Sequence, residues 1–261
     1  MRETSWKTIL AGIVALQALV PCMVFSQAEK EINQQAQFWW SINSTTRLSD
    51  VFAIVGDFHI RRNDFLEDPS FYFLRFGTHF WLTERFTLTL GYAHMWKAPA
   101  FEDWHTWTNE NRIYQQLQYS SKIGSTSVLQ RFRNEQRWQQ QVDNDVLTGE
   151  SSFSNRMRYL LSFTIPVSKN SAVPSLVLSD EILIQFGPGI VTNTFDQNRF
   201  FAGIKKSLSP SWSFDLGYMP VYQQKSSGYQ YDLNHTLRWF FYYTPDLRKT
   251  KSTHESAGTD E

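Results

Sequence analysis

A chain of 261 residues with 25 basic and 25 acidic side chains carries no net charge, so it has neither the basic footprint of a nucleic-acid binder nor an acidic, solvating composition. Its single cysteine, Cys22, excludes a disulfide framework and a thiolate metal site. Aromatic residues make up 16% of the chain although its mean hydropathy is negative, which suits side chains gathered at a membrane interface better than a greasy helix.

At the N-terminus Arg2 and Lys7 precede an apolar run from Ile9 to Val20, which Pro21 ends before Ser26, Gln27 and Ala28. This pattern predicts a secretory signal peptide over residues 1–27. The run is shorter than the about 20 residues a spanning helix needs. Pro21 stands where a lipoprotein signal carries a small residue, which argues against a lipid anchor on Cys22. No later apolar run approaches membrane-helix length, so a membrane protein of this composition has to be a closed β-barrel, in which every backbone donor and acceptor finds a partner.

A polar entry segment is expected over residues 28–36, and alternating strands from Gln37 to Tyr243. The first runs to Leu48 and turns at Ser49-Asp50. The second places Phe52, Ile54, Gly56, Phe58 and Ile60 on one face and Asp57, His59 and Arg61 on the other. After a loop at 63–69 come a strand with Arg75, Gly77 and His79 facing in, a turn over Leu82–Arg85, and a strand with small Thr87, Thr89, Gly91 and Ala93 facing in. A loop over Lys97–Trp107 precedes a long hairpin that turns within Ser120–Thr126. Its first arm carries Glu110, Arg112, Tyr114 and Gln116 on one face, and its second arm Arg131, Arg133, Glu135 and Arg137.

A polar loop is expected at 140–152, then a strand with Arg156 and Arg158 inward and a loop at 166–174. In the next strand, 175–186, Asp180 falls among Leu176, Leu178, Ile182 and Ile184, which implies a bulge or a register read one residue out. A loop at 187–197, a strand with Arg199, a turn at Ser209-Pro210, a strand from Trp212 to Tyr222, a loop at 223–230 and a last strand bearing Arg238 complete the pattern. Pro245 ends it, and residues 244–261 read as a disordered polar tail.

Magnitudes decide which face meets lipid. An Arg on the lipid side costs about 2 to 4 kcal/mol at the midplane, so the Arg-rich face must be the lumen. The fold expected is all-β: a transmembrane, antiparallel, up-and-down β-barrel with an Arg-rich lumen. Trp81 and Trp212 beside short turns, with Trp96 and Trp138 beside long loops, would form the two aromatic girdles. Eleven strands can be counted, but bacterial barrels have even numbers. The expectation is therefore 12 strands within a range of 10 to 12, the twelfth hidden in a loop, or residues before Gln37 threading the lumen.

The runs NENRIYQQLQ, LQRFRNEQRW, SDEILIQF and FDQNRFFAGI resemble the barrel family known as domain of unknown function 2490, over roughly Gln37 to Tyr243. The matching residues are Glu110, Arg112, Gln116, Arg131, Arg133, Glu135, Arg137, Asp180, Glu181, Asn198 and Arg199. The resemblance implies a Gram-negative cell outer membrane, with lipid and lipopolysaccharide as surroundings and the barrel-assembly machinery as the insertion partner. It implies no reaction.

The candidate site is the inward polar cluster Glu110, Arg112, Gln116, Arg131, Arg133, Glu135, Arg137, Arg156, Arg158, Glu181, Arg199 and Arg238. Paired, it makes a narrow structural or binding barrel with an ion-paired lumen. Left in excess, the guanidinium groups make a porin-like anion passage. A membrane-embedded lipid hydrolase is the third reading, with His235 as its base but no serine in view. His254 and Ser256 lie in the polar tail, with no strand to hold them. His59 and His79 read as hydrogen-bonded fillers, and neither a metal nor a cofactor is expected.

Overall fold

The structure is a computed structural model, and it describes residues 29–101, 103–170 and 172–248. The signal peptide expected over residues 1–27, Cys22 within it, and His254 and Ser256 lie outside the described residues. Among the described residues no helix is long and apolar enough to cross a membrane.

Eleven strands form one closed barrel: β1 (Glu31–Arg47), β2 (Phe52–Asn63), β3 (Asp68–Trp81), β4 (Phe86–Lys97), β5 (Thr108–Ile123), β6 (Thr126–Asp143), β7 (Val146–Ile165), β8 (Ser175–Phe186), β9 (Phe195–Ser207), β10 (Trp212–Gln224) and β11 (Gln230–Tyr243). Each pairs antiparallel with the next, and β1 and β11 close the wall in parallel, in register from Glu31↔Gln230 to Ser44↔Tyr243. Eleven lies within the expected range of 10 to 12, and among the described residues no loop hides the expected twelfth strand. An odd number of alternating strands leaves the first and last running the same way, and a parallel ladder satisfies both edges. The entry segment is corrected, because β1 begins at Glu31 and Ala36 pairs with His235 in the wall.

Alternation accounts for the two faces. On β5 Thr108, Glu110, Arg112, Tyr114 and Gln116 are buried, while Ile113 and Leu117 are exposed. On β8 Val177, Ser179, Glu181, Leu183 and Gln185 are buried, and Leu176, Leu178, Ile182, Ile184 and Phe186 exposed. That alternation is unbroken, so the bulge or misread register expected at Asp180 is absent. Asp180 faces outward and accepts a hydrogen bond from Asn198 Nδ2 at 2.8 Å. The irregularity in this pairing lies further along, between Leu183 and Ile184.

The connections are shorter than expected. The loop expected at 140–152 is the tip of the β6–β7 hairpin, turning on Asn144 and Asp145 with φ of 47° and 61°. Two successive positive φ values are what a two-residue hairpin turn requires. Asp145 also ties this hairpin to the β4–β5 loop. Its carboxylate accepts the N–H groups of His105 at 3.0 Å and Thr106 at 2.7 Å, and these bonds hold it below the usual carboxylate range. At the other rim Arg47 N–H donates to the Pro245 carbonyl and Leu247 N–H to that of Arg47, both at 2.9 Å. Residues 244–248 are therefore ordered against β1, which shortens the expected tail.

One close approach shapes the interior. Gly77 and Gly91 face each other across β3 and β4, and the Tyr114 ring lies over them. A Cβ on Gly91 would come within 2.5 Å of the Tyr114 ring. The glycines thus make room for a buried aromatic that covers their bare backbone. Trp81 is a further correction: it shares the inner parity of His79, packs edge-on against it at 4.7 Å and lies under the Arg47 guanidinium at 4.4 Å. It does not belong to an outer girdle, whereas Trp96 and Trp138 are exposed and Trp212 stacks on Tyr243 at 4.6 Å.

Candidate functional site

Inward positions on β5 to β9 bring acids and guanidinium groups together inside the barrel. Burying unpaired charge is costly, so each carboxylate there gathers several cations. Glu135, 2% exposed, accepts hydrogen bonds from Arg156 Nη2 at 2.8 Å, Arg158 Nη1 at 2.9 Å and Arg112 Nη1 at 3.4 Å, with Arg133 at 3.6 Å. Glu181 pairs with Arg131 at 2.6 Å, Arg158 at 2.8 Å and Arg199 at 3.4 Å. Glu110 holds Arg112 and Arg137, each at 2.7 Å. Gln116 Oε1 accepts two N–H groups of Arg133.

Shared arginines link these three glutamates into one network, which takes in every expected site residue except Arg238. That residue sits apart on β11, paired with Asp215 at 2.8 Å and bonded to Tyr242. Asp180 and Asn198, which the resemblance grouped with the cluster, form their own pair on the outer face.

Several partners fell outside the expected cluster. Asp196, within an expected loop, binds Arg156 at 2.9 Å. Asp57 pairs with Arg75, and Asp215 with Arg238. All three share the inner parity of their strands, a signal already read for Asp57 that could have found Asp196 and Asp215 as well. Trp39 is another: it is buried beneath Arg61 and Arg199, at 3.4 and 5.2 Å from its ring centroid.

The histidines divide. His79 Nδ1 meets Thr89 Oγ1 at 2.9 Å, as a hydrogen-bonded filler should. His59 departs from that expectation, because neither ring nitrogen has a hydrogen-bond partner among the described residues and the ring packs edge-on between Phe73 and Phe240. His235 faces outward with Nδ1 against the Tyr218 hydroxyl at 2.6 Å and Nε2 against Gln34 Oε1 at 3.1 Å. Both nitrogens are engaged and neither meets a serine, which is a poor arrangement for a general base. Among the described residues no group of three His, Cys, Asp or Glu side chains is placed to hold a metal.

Around the network lies a cavity of about 1310 Å³ lined from all eleven strands, from Gln35 and Lys225 near one rim to Arg85 and Lys122 at the other. Fifteen Arg and Lys side chains line it against five carboxylates, so even with Asp57 and Glu135 added the wall is cationic. Such a field draws anions in and holds cations off.

An apolar exterior, an ion-paired interior and a wall closed by a parallel seam define an eleven-stranded β-barrel protein. Residues 36–232 match the family described as "Protein of unknown function (DUF2490)", and the chain belongs to that family. No curated protein and no solved structure matches it.

Proposed function

We propose that the protein is an outer-membrane β-barrel, exported by the signal peptide at residues 1–27, whose cationic lumen takes up small anions. Exposed Ile54, Leu74, Phe76, Leu90, Ile113 and Phe132 supply the lipid face, and charged side chains are turned inward, the reverse of a water-soluble sheet. Lipid and lipopolysaccharide are then its surroundings, and the barrel-assembly machinery its route of insertion. Between a plugged lumen and a passage, the excess of cations along a cavity reaching both rims favours the passage.

Planar-bilayer recording tests this reading. Under a potassium chloride gradient the reversal potential should take the sign of anion preference, and Arg131→Ala with Arg133→Ala should weaken that preference. A bilayer that stays silent after insertion, or one that prefers cations, overturns it.

A further inference from the structure

Cations and aromatics alternate along one row of the inner wall. Arg238 on β11, Trp39 on β1, Arg61 on β2, Phe71 on β3 and Lys97 on β4 are successive register partners. The Arg61 guanidinium lies between two rings, 3.4 Å from the centroid of Trp39 and 4.4 Å from that of Phe71. Stacking covers the faces of the guanidinium plane and leaves the N–H groups at its edge, where carboxylates and phosphates are held in two-point contacts. The arginines of the network spend those groups on carboxylates or, for Arg133 and Arg199, on the amide oxygens of Gln116 and Gln197. Arg61 does not: among the described residues no carboxylate pairs with it, and its buried Nε has no acceptor.

Beside Arg61 the lumen has a recess of about 90 Å³, room for about three waters at roughly 30 Å³ each, and all of its lining residues except Val221 also line the main cavity. Its polar lining consists of Arg61, Gln37, Ser70, Gln197, Gln223 and Asn234, without a carboxylate. Two of these amides have capacity to spare. Gln197 Oε1 is taken by Nε and Nη2 of Arg199 at 2.9 and 2.6 Å, which leaves its NH₂ as the free end. Asn234 is 4% exposed, and its Oδ1 receives no hydrogen bond. Turning that amide to present N–H to a ligand therefore breaks no hydrogen bond at its oxygen.

We infer that this recess is a binding site for a small oxyanion, a phosphate or carboxylate group, which Arg61 grips with its fork while Gln197 and Asn234 add neutral donors. The inference rests on the lumen being open to solutes from at least one rim. Half-buried Arg61, with no carboxylate beside it and no acceptor on its Nε, is a cation without a counter-charge, and an oxyanion at its fork supplies one.

The test is calorimetric titration of the exported chain in maltoside micelles, which carry no phosphate, with inorganic phosphate and separately with acetate. Saturable binding of either ion is expected, and Arg61→Gln should weaken it at least about tenfold, the loss that follows removal of charge-assisted hydrogen bonds. Arg61→Lys, which keeps the charge but not the fork, should fall between, and Gln197→Glu should abolish binding by placing a carboxylate in the recess. Lys169→Gln, in the exposed connection after β7 and outside the cavity lining, should leave the affinity unchanged. Displacement of phosphate by added phosphatidylglycerol would identify a lipid headgroup as the natural source, and no displacement would identify a free ion. Absence of saturable binding to the unmodified chain, or binding by Arg61→Gln and Arg61→Lys as tight as by the unmodified chain, overturns the inference. Phosphate binding that survives in a protein silent in bilayers would remove the passage and leave the site; conductance without Arg61-dependent binding would do the reverse.

Discussion

At Glu135 one carboxylate answers four guanidinium groups on β5, β6 and β7. Their attraction to it offsets the cost of taking them out of bulk water, and its removal leaves them facing one another. Glu135→Gln should therefore destabilise the barrel by about 3 to 5 kcal/mol, the range for breaking a buried ion pair from one side. The urea midpoint in micelles measures this, and a change below about 1 kcal/mol, the scale of an exposed pair, would show that water already screens the network. The residue types of this network were legible in the sequence, because inward parity put Arg112, Arg131, Arg133 and Arg158 on one face. Which acid serves which arginine was not, since that depends on stagger between strands. Asp196 illustrates the difficulty: only once β9 is seen to start at Phe195 does it come within reach of Arg156.

At the level of strands, binary pattern carries information only where the two faces meet different surroundings. On β8 that condition holds along the whole strand, and even Asp180, the residue that looked out of place, keeps its outward parity. In the β6–β7 hairpin it fails. From Val146 to Ser152 every residue is exposed, so nothing selects apolar side chains on either face and the segment reads as loop. The glycine pair on β3 and β4 shows a second kind of information, a space reserved for another strand's side chain. Gly91→Val should drive the Tyr114 ring from its place across Gly77 and Gly91 and lower stability by about 1 to 3 kcal/mol, as overpacking does elsewhere. Gly91→Val combined with Tyr114→Ala should recover part of that loss, because the incoming methyls then meet a void. Equal stability of the single and double variants would mean that the clash is with the backbone of β3 rather than with the ring.

Across the whole molecule, the seam between β1 and β11 settles where the two ends of the wall emerge. Strands joined by up-and-down turns alternate in direction, so an odd number sends the first and the last the same way; Glu31 then opens β1 at one rim while Tyr243 closes β11 at the other. The sequence pointed to eleven strands, and the preference for an even number argued for a twelfth. The parallel pairing that removes the conflict has no signature in the pattern of either strand alone. Connections at the Glu31 rim include the ten residues 98–107 and the projecting β6–β7 hairpin, while four of the five at the Tyr243 rim span two to four residues. If the barrel spans the outer membrane, as proposed, with its long connections outward, the Glu31 rim lies outside the cell and the Tyr243 rim in the periplasm. The only cysteine, Cys22, falls within the expected leader, so single cysteines placed in the exported chain report without background. Glu31→Cys should react with a membrane-impermeant maleimide on intact cells, whereas Asp246→Cys, beside the end of β11, should react only after the outer membrane is opened. Labelling of both on intact cells, or of Asp246→Cys alone, would contradict this orientation, and labelling of both from the same side would contradict the odd-numbered wall itself.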